Sequence, residues 1–231
     1  DIFVDVLDGR QKILILADAP HPDVSAIKTS LELKEGYEVQ SSLAADFNKP
    51  VAGYDLIILH QLPSAKNNID NILAQIDKEN IPVLFVLGSQ TLVGAFNKAQ
   101  PDLQLPAASG KLNDVAPVLA KDFSLFTTSN ELRSYASRFS PLQSPFGNYK
   151  GSALKSVLFY QQIGLVESDI PLLFFSQEAV QKRGYLCGEG IWRWRLQDFA
   201  DHGNHLLFDE LILKTVQYLA VKEDKSLFKV I

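Results

Sequence analysis

The stretch Tyr54-Asp55-Leu56-Ile57-Ile58-Leu59-His60-Gln61 decides the fold. Its four consecutive aliphatic residues leave no polar face. A strand buried on both sides needs that pattern, whereas a surface strand alternates. Two further runs share it: Lys12-Ile13-Leu14-Ile15-Leu16-Ala17 and Pro82 to Leu87. Helical patterns lie between them. Asp23 can cap a helix running to about Glu35, closed by Gly36. Ser64 to Glu79 carries Ile69, Ile72, Leu73 and Ile76 at helical spacing. Tyr37 to Leu43 alternates and reads as a strand nearer an edge. Ser89 to Asn97 reads as a short helix with Ser89 as its cap. The order β-α-β-α-β-α-β predicts an α/β fold, a three-layer sandwich with a mostly parallel, flavodoxin-like sheet and helices on both faces.

The second half predicts a strand-rich insertion in the same domain. Gly110 to Leu119 reads as a strand, with Pro117 arguing for an edge. Thr127 to Phe139 reads as helical. Ser140 to Gly151, with Pro141, Pro145 and Gly147, reads as a turn-rich loop. Ala153 to Gln162, Pro171 to Ser176 and Gly184 to Gly188 are strand candidates extending the parallel core. Asn204 can cap a last helix through about Val221, packed through Leu207, Leu211, Val216 and Leu219.

Composition narrows the function. The chain has 231 residues, 46% of them hydrophobic and 21% charged, with a net charge of −5. These values suit a single globular domain, 1–231. Mild acidity without a basic cluster argues against nucleic acid and against anionic lipid. No apolar run reaches the roughly 18 residues of a membrane helix, so direct membrane insertion is not expected. The sequence lacks methionine and is read as a fragment of a longer chain. Any targeting or anchoring segment would lie outside it, and the composition leaves the compartment open between cytoplasm and periplasm. The single cysteine, Cys187, excludes an internal disulfide and reads as a buried structural thiol. His202 and His205 have metal-compatible spacing but no evident third ligand, so hydrogen bonding at a helix end is the preferred role. Neither metal nor cofactor is expected.

In open α/β sheets, ligands bind beyond the carboxyl ends of the strands. Residues following the strands are therefore the candidates: His21 and Asp23 after the first, His60 and Gln61 after the third, Ser89 and Gln90 after the fourth, and Glu189, Trp192 and Arg193 after a late one. Leu87-Gly88-Ser89-Gln90-Thr91 does not fit a nucleophile elbow. Ser89 could still act with His21 or His60 as base if the groups lie within hydrogen-bond reach. Trp192-Arg193-Trp194-Arg195, taken as extended, puts tryptophans on one side and arginines on the other, with arginine stacked on tryptophan or paired with Glu189 or Asp198.

The strings Gln-Lys-Ile-Leu-Ile-Leu-Ala, Ala-Pro-His-Pro-Asp, Tyr-Asp-Leu-Ile-Ile-Leu-His-Gln-Leu-Pro, Val-Leu-Gly-Ser-Gln-Thr and Gly-Glu-Gly-Ile-Trp-Arg-Trp-Arg resemble a domain at the C-terminal end of uncharacterised membrane-anchored bacterial envelope proteins. That domain belongs to the class I glutamine amidotransferase-like superfamily, near its ThuA-like branch. The resemblance covers nearly the whole chain. In active members a cysteine follows the fourth strand and a His-x-Glu pair follows a late strand. Here the nucleophile position falls at Ser89 or Gln90, and Glu189 can hold the acid's place with no histidine two residues before it. Glutamine hydrolysis is therefore not expected. The resemblance implies a non-catalytic binding or interaction module. Its partner would be a small molecule, a protein or another domain of the parent chain. The alternative is a divergent hydrolase using the same rim around Ser89.

Overall fold

The computed structural model describes residues 9–106, 111–151, 156–178 and 181–221. Among the described residues, nine strands form one sheet. The elements are β1 (Gln11–Ala17), α1 (Pro22–Glu32), β2 (Tyr37–Leu43), β3 (Leu56–His60), α2 (Asp70–Lys78), β4 (Val83–Val86), α3 (Val93–Ala99), β5 (Leu112–Leu119), α4 (Asn130–Tyr135), β6 (Leu142–Pro145), β7 (Ser156–Ile163), β8 (Val166–Glu178), β9 (Gln181–Leu186), α5 (Trp192–His202) and α6 (Leu206–Ala220). The strand order is β2-β1-β3-β4-β9-β8-β7-β5-β6.

The three runs read as doubly buried strands are β1, β3 and β4, and every residue of β3 and β4 is buried. They pair in parallel with one another, with β2 at one side and β9 at the other. Helices cover both faces. One core joins Ile13, Ile15, Ile58 and Val86 to α1, α5 and α6 through Ile27, Trp194, Leu211 and Val216. The other joins Leu14, Ile57, Leu59 and Phe85 to α2 and α3 through Leu73, Ile76 and Phe96.

The sheet is mixed rather than mostly parallel. Beyond β9 every pairing is antiparallel: β8 with β9, β7 with β8, β5 with β7 and β6 with β5. Of the late strands, only β9 joins the parallel core. β7 and β8 cannot both do so, because they are joined by a tight turn at Gly164 (φ 60°) and Leu165, and a tight hairpin makes antiparallel neighbours.

The segment read as a loop, Ser140 to Gly151, contains strand β6. Pro117 is not on the edge strand, but β6 pairs only with Leu112 to Val115, so the missing N–H of Pro117 lies past its end. The helix expected over Ser64 to Glu79 begins only at Asp70, because the Ser64 hydroxyl accepts from the N–H groups of Lys66 and Asn67 and holds a turn there. Residues 107–110 and 152–155, where two strands were expected to begin, lie outside the described residues.

Candidate functional site

The rim at the carboxyl ends of β1, β3, β4 and β9 is built from backbone first. Asp18 N donates to the His60 carbonyl, Gln61 N to the Val86 carbonyl and Leu87 N to the Leu186 carbonyl, so the strand ends stay laced together as the loops depart. Gln61 leaves β3 with φ 57°, a left-handed conformation uncommon outside glycine. Its side chain is held firmly: Nε2 donates to Glu189 Oε2, and Oε1 accepts from Gln90 N at 2.9 Å.

Glu189 is fixed by the unforeseen strand. Its N–H and carbonyl exchange 2.9 Å hydrogen bonds with Gln143 of β6. Glycine at position 88 lets these groups approach, because a Cβ there would displace the Glu189 carboxylate and sit 2.9 Å from Gln61 Cδ.

A cavity of about 300 Å³ opens here, lined by Asp18, His21, His60, Gln61, Lys66, Ser89, Gln90 and Glu189 among others. The structure thus brings together six of the nine residues singled out in the sequence, and Asp23 lies against the two histidines. Asp23 is fully buried. It does not cap its own helix; the N-cap is His21, whose Nδ1 accepts from Asp23 N at 3.1 Å. The Asp23 carboxylate instead receives Trp192 N on Oδ1 at 2.9 Å, and Gly190 N at 2.8 Å and His60 Nε2 at 3.3 Å on Oδ2. Burial opposes its ionisation, but the hydrogen bonds from His60, Gly190 and Trp192 outweigh it and hold the carboxyl below its ordinary range. His21 stacks at an angle over His60, ring centroids 4.6 Å apart. Desolvation lowers its basicity despite the nearby Asp23.

Trp192 and Arg193 do not line the cavity. The string Trp192-Arg193-Trp194-Arg195 opens helix α5 instead of running extended, so its tryptophans do not share a side. Trp194 is fully buried against Phe139, and Trp192 remains partly exposed. The expected stacking does occur: the Arg193 guanidinium lies 5.9 Å from the Trp192 ring centroid. Its Nη2 donates to the Pro141 carbonyl.

Ser89 does not cap α3, whose N-cap is Leu92. Its hydroxyl lies 3.4 Å from Glu189 Oε2 and 3.5 Å from Gln61 Oε1, within reach of an acid and an amide. It lacks the rest of a serine nucleophile's apparatus. Among the described residues, left-handed backbone outside glycine occurs only at Gln61 and Asn80, so Ser89 is not on a strained elbow. The neighbouring donors are committed too, Gly88 N to Thr91 Oγ1 and Gln90 N to Gln61, which leaves neither free for an oxyanion. Cys187 is fully buried, and burial pushes its thiol up, so it offers no substitute nucleophile. His202 and His205 make the expected helix-end bonds, to Asp198 at 2.8 Å and to the Arg195 carbonyl at 2.9 Å.

Sequence reasoning missed Asp18 and Lys66. Asp18 directly follows β1, so the rule applied to the other strands would have found it. Its Oδ1 accepts from Ser64 Oγ and from Asn67 Nδ2. Its Oδ2 is buried and has no hydrogen-bond partner. Lys66 was hidden inside a pattern read as helix.

No family model matches the sequence, and no curated protein matches it. Solved structures do match in shape. An α-L-fucosidase isoenzyme 2 from Paenibacillus thiaminolyticus superposes with a TM-score of 0.50 at 13% identity over 91% of this chain. Agd3, a carbohydrate deacetylase, superposes with a TM-score of 0.51 at 8% identity, also over 91%. This chain spans only about a third of each, 33% and 32%. At these identities the similarity concerns the fold alone.

Proposed function

We propose that the chain is a divergent hydrolase domain whose chemistry takes place at this rim, on a neutral, hydroxyl-rich substrate of carbohydrate type. The observation that carries the reading is one cavity holding Glu189, Asp18 and an imidazole, His60, oriented by a buried carboxylate. A base positioned by a third group beside a second acid is the minimum equipment for activating water. Asp18 and Glu189 outnumber Lys66 along the walls, which disfavours an anionic substrate. The two solved structures that share the fold act on carbohydrates by their own descriptions, which supports the substrate class. Kinship with the amidotransferase-like superfamily belongs to the same proposal. It is supported by the parallel order β2-β1-β3-β4-β9 and by Glu189 lying opposite Ser89, the acid and nucleophile positions of that group.

The committed donors around Ser89 favour a second reading, a binding module without catalysis. The two separate experimentally. Chromogenic glycosides and acetylated sugars are incubated with the wild type, Glu189→Gln and His60→Gln, each variant being compared only where its circular dichroism matches the wild type. The hydrolase reading expects turnover that falls by about 10²-fold or more in either variant. Sugar binding by calorimetry without turnover would leave the binding module. Neither turnover nor binding would remove both.

A further inference from the structure

The geometry points to a divalent transition-metal site, suited to zinc, formed by His21, Asp23 and His60 at the floor of the rim cavity. Asp23 Oδ2 lies 3.3 Å from His60 Nε2 and 3.4 Å from His21 Nδ1. Two ligands of a tetrahedral zinc with bonds of about 2.0–2.1 Å are separated by about 3.3–3.4 Å. Both pairs therefore already stand at coordination spacing around a shared carboxylate oxygen. One ligand atom from each residue lies within 4.8 Å of the others. His21 is partly exposed, and to ligate a metal its ring would turn, giving up the Asp23 N–H that its Nδ1 now accepts and closing the remaining gap.

Three features mark the cluster as more than a hydrogen-bonded knot. Asp23 is oriented by two backbone N–H groups, from Gly190 and Trp192, the kind of outer support that fixes a ligating carboxylate. The carboxylates of Asp18, Asp23 and Glu189 stand against the Lys66 ammonium and the Arg193 guanidinium, the two cations whose charge reaches the cavity or His21, a balance that still favours a cation. The third feature lies outside the trio: Asp18, more than nine-tenths buried and lining the same cavity, has an oxygen with no donor. Two imidazoles and one carboxylate leave a fourth position for water, the arrangement of catalytic rather than structural zinc. His21 and His60 both line the cavity, so a metal held by them would be reached from the space a substrate would occupy. Nitrogen and oxygen donors in this proportion suit zinc better than magnesium or calcium, which take oxygen.

Zinc chloride is titrated into the metal-free chain by calorimetry, with thermal shift in parallel, and cobalt(II) serves as the optical probe. One zinc per chain, a raised melting temperature and cobalt absorption of tetrahedral intensity are expected. His21→Gln should weaken zinc at least tenfold and abolish the cobalt signal, while His202→Gln, at a histidine far from the rim, should change neither. His60 is buried and its replacement can unfold the chain, so the partly exposed His21 carries the test. Absence of zinc binding overturns the inference, and so does binding that survives His21→Gln or that falls equally in His202→Gln. The site does not depend on the hydrolase reading; with a metal held, His60 would be a ligand instead of the base of that reading, and Glu189 in the same cavity would be left as the base. Zinc bound without turnover sinks only the hydrolase, and turnover indifferent to zinc with none bound sinks only the metal.

Discussion

Asp23 shows how one residue can be read correctly and assigned the wrong task. An aspartate at a strand-to-helix junction suggests a cap, and its place after the first strand also makes it a rim candidate. In the structure the capping falls to His21. The carboxylate reaches across 167 and 169 residues to the N–H groups of Gly190 and Trp192, tying the first loop to the turn that opens α5. Asp23→Asn keeps the size but sets an amide donor among groups that donate. Urea denaturation should show a loss of about 1.5–3 kcal/mol, the range for hydrogen bonds to a charged group. A loss below about 0.5 kcal/mol would mean that Asp23 does not hold the two loops together. The same scale explains why Asp18 and Glu189 differed in visibility. Glu189 lies in a distinctive Gly-Glu-Gly string, where the left-handed φ of 101° at Gly190 strains any side chain. Asp18 has only its position after a strand to recommend it.

At the scale of elements, helices α4 and α5 are joined by the Tyr135 hydroxyl, which donates to Asp201. Burial first, and then the Asp201 carboxylate, push this phenol from its ordinary 10.0 up to about 12. A group whose pKa is raised by folding gives stability that is full below its unfolded value and is lost as the pH rises through its folded value. The Tyr135 contribution should therefore be complete below pH 10 and fade between pH 10 and about 12. Tyr135→Phe should cost about 1–2 kcal/mol at neutral pH. The gap between wild type and variant, followed by denaturant midpoint, should narrow across that alkaline window; a constant gap would refute the link. Elements also show where sequence reading worked. β1, β3 and β4 were legible because a run of aliphatic residues has no alternative to burial on both faces. The strand sense of β7 and β8 was not read, although Gly164 between two apolar runs is a hairpin signal. Strand β6 left little trace, since two prolines and a glycine in its neighbourhood read as turns.

For the whole molecule, the antiparallel half is a support for the rim rather than an appendage. β6 holds Glu189 through Gln143, and Phe159 of β7 meets Trp194 of α5 edge-to-face at 6.1 Å. Damage far from the cavity should therefore reach it. Phe159→Ala removes a fully buried ring and should cost about 3–5 kcal/mol. Because one sheet carries both cores, tryptophan fluorescence and far-ultraviolet circular dichroism should report the same single transition in wild type and variant. Separate transitions would show that the parallel and antiparallel halves fold independently.

The sequence by itself determined the buried parallel strands, the helices that flank them and the loops from which a site would be assembled. These follow from hydrophobic period and strand length, which are local properties. Tertiary structure decided the direction of the later strands, the placement of β6 beneath Glu189 and the meeting of His21, Asp23 and His60. Period reports that a residue is buried, but not against what. Partners separated by dozens of residues are chosen by register and chain reversal, which no local pattern records.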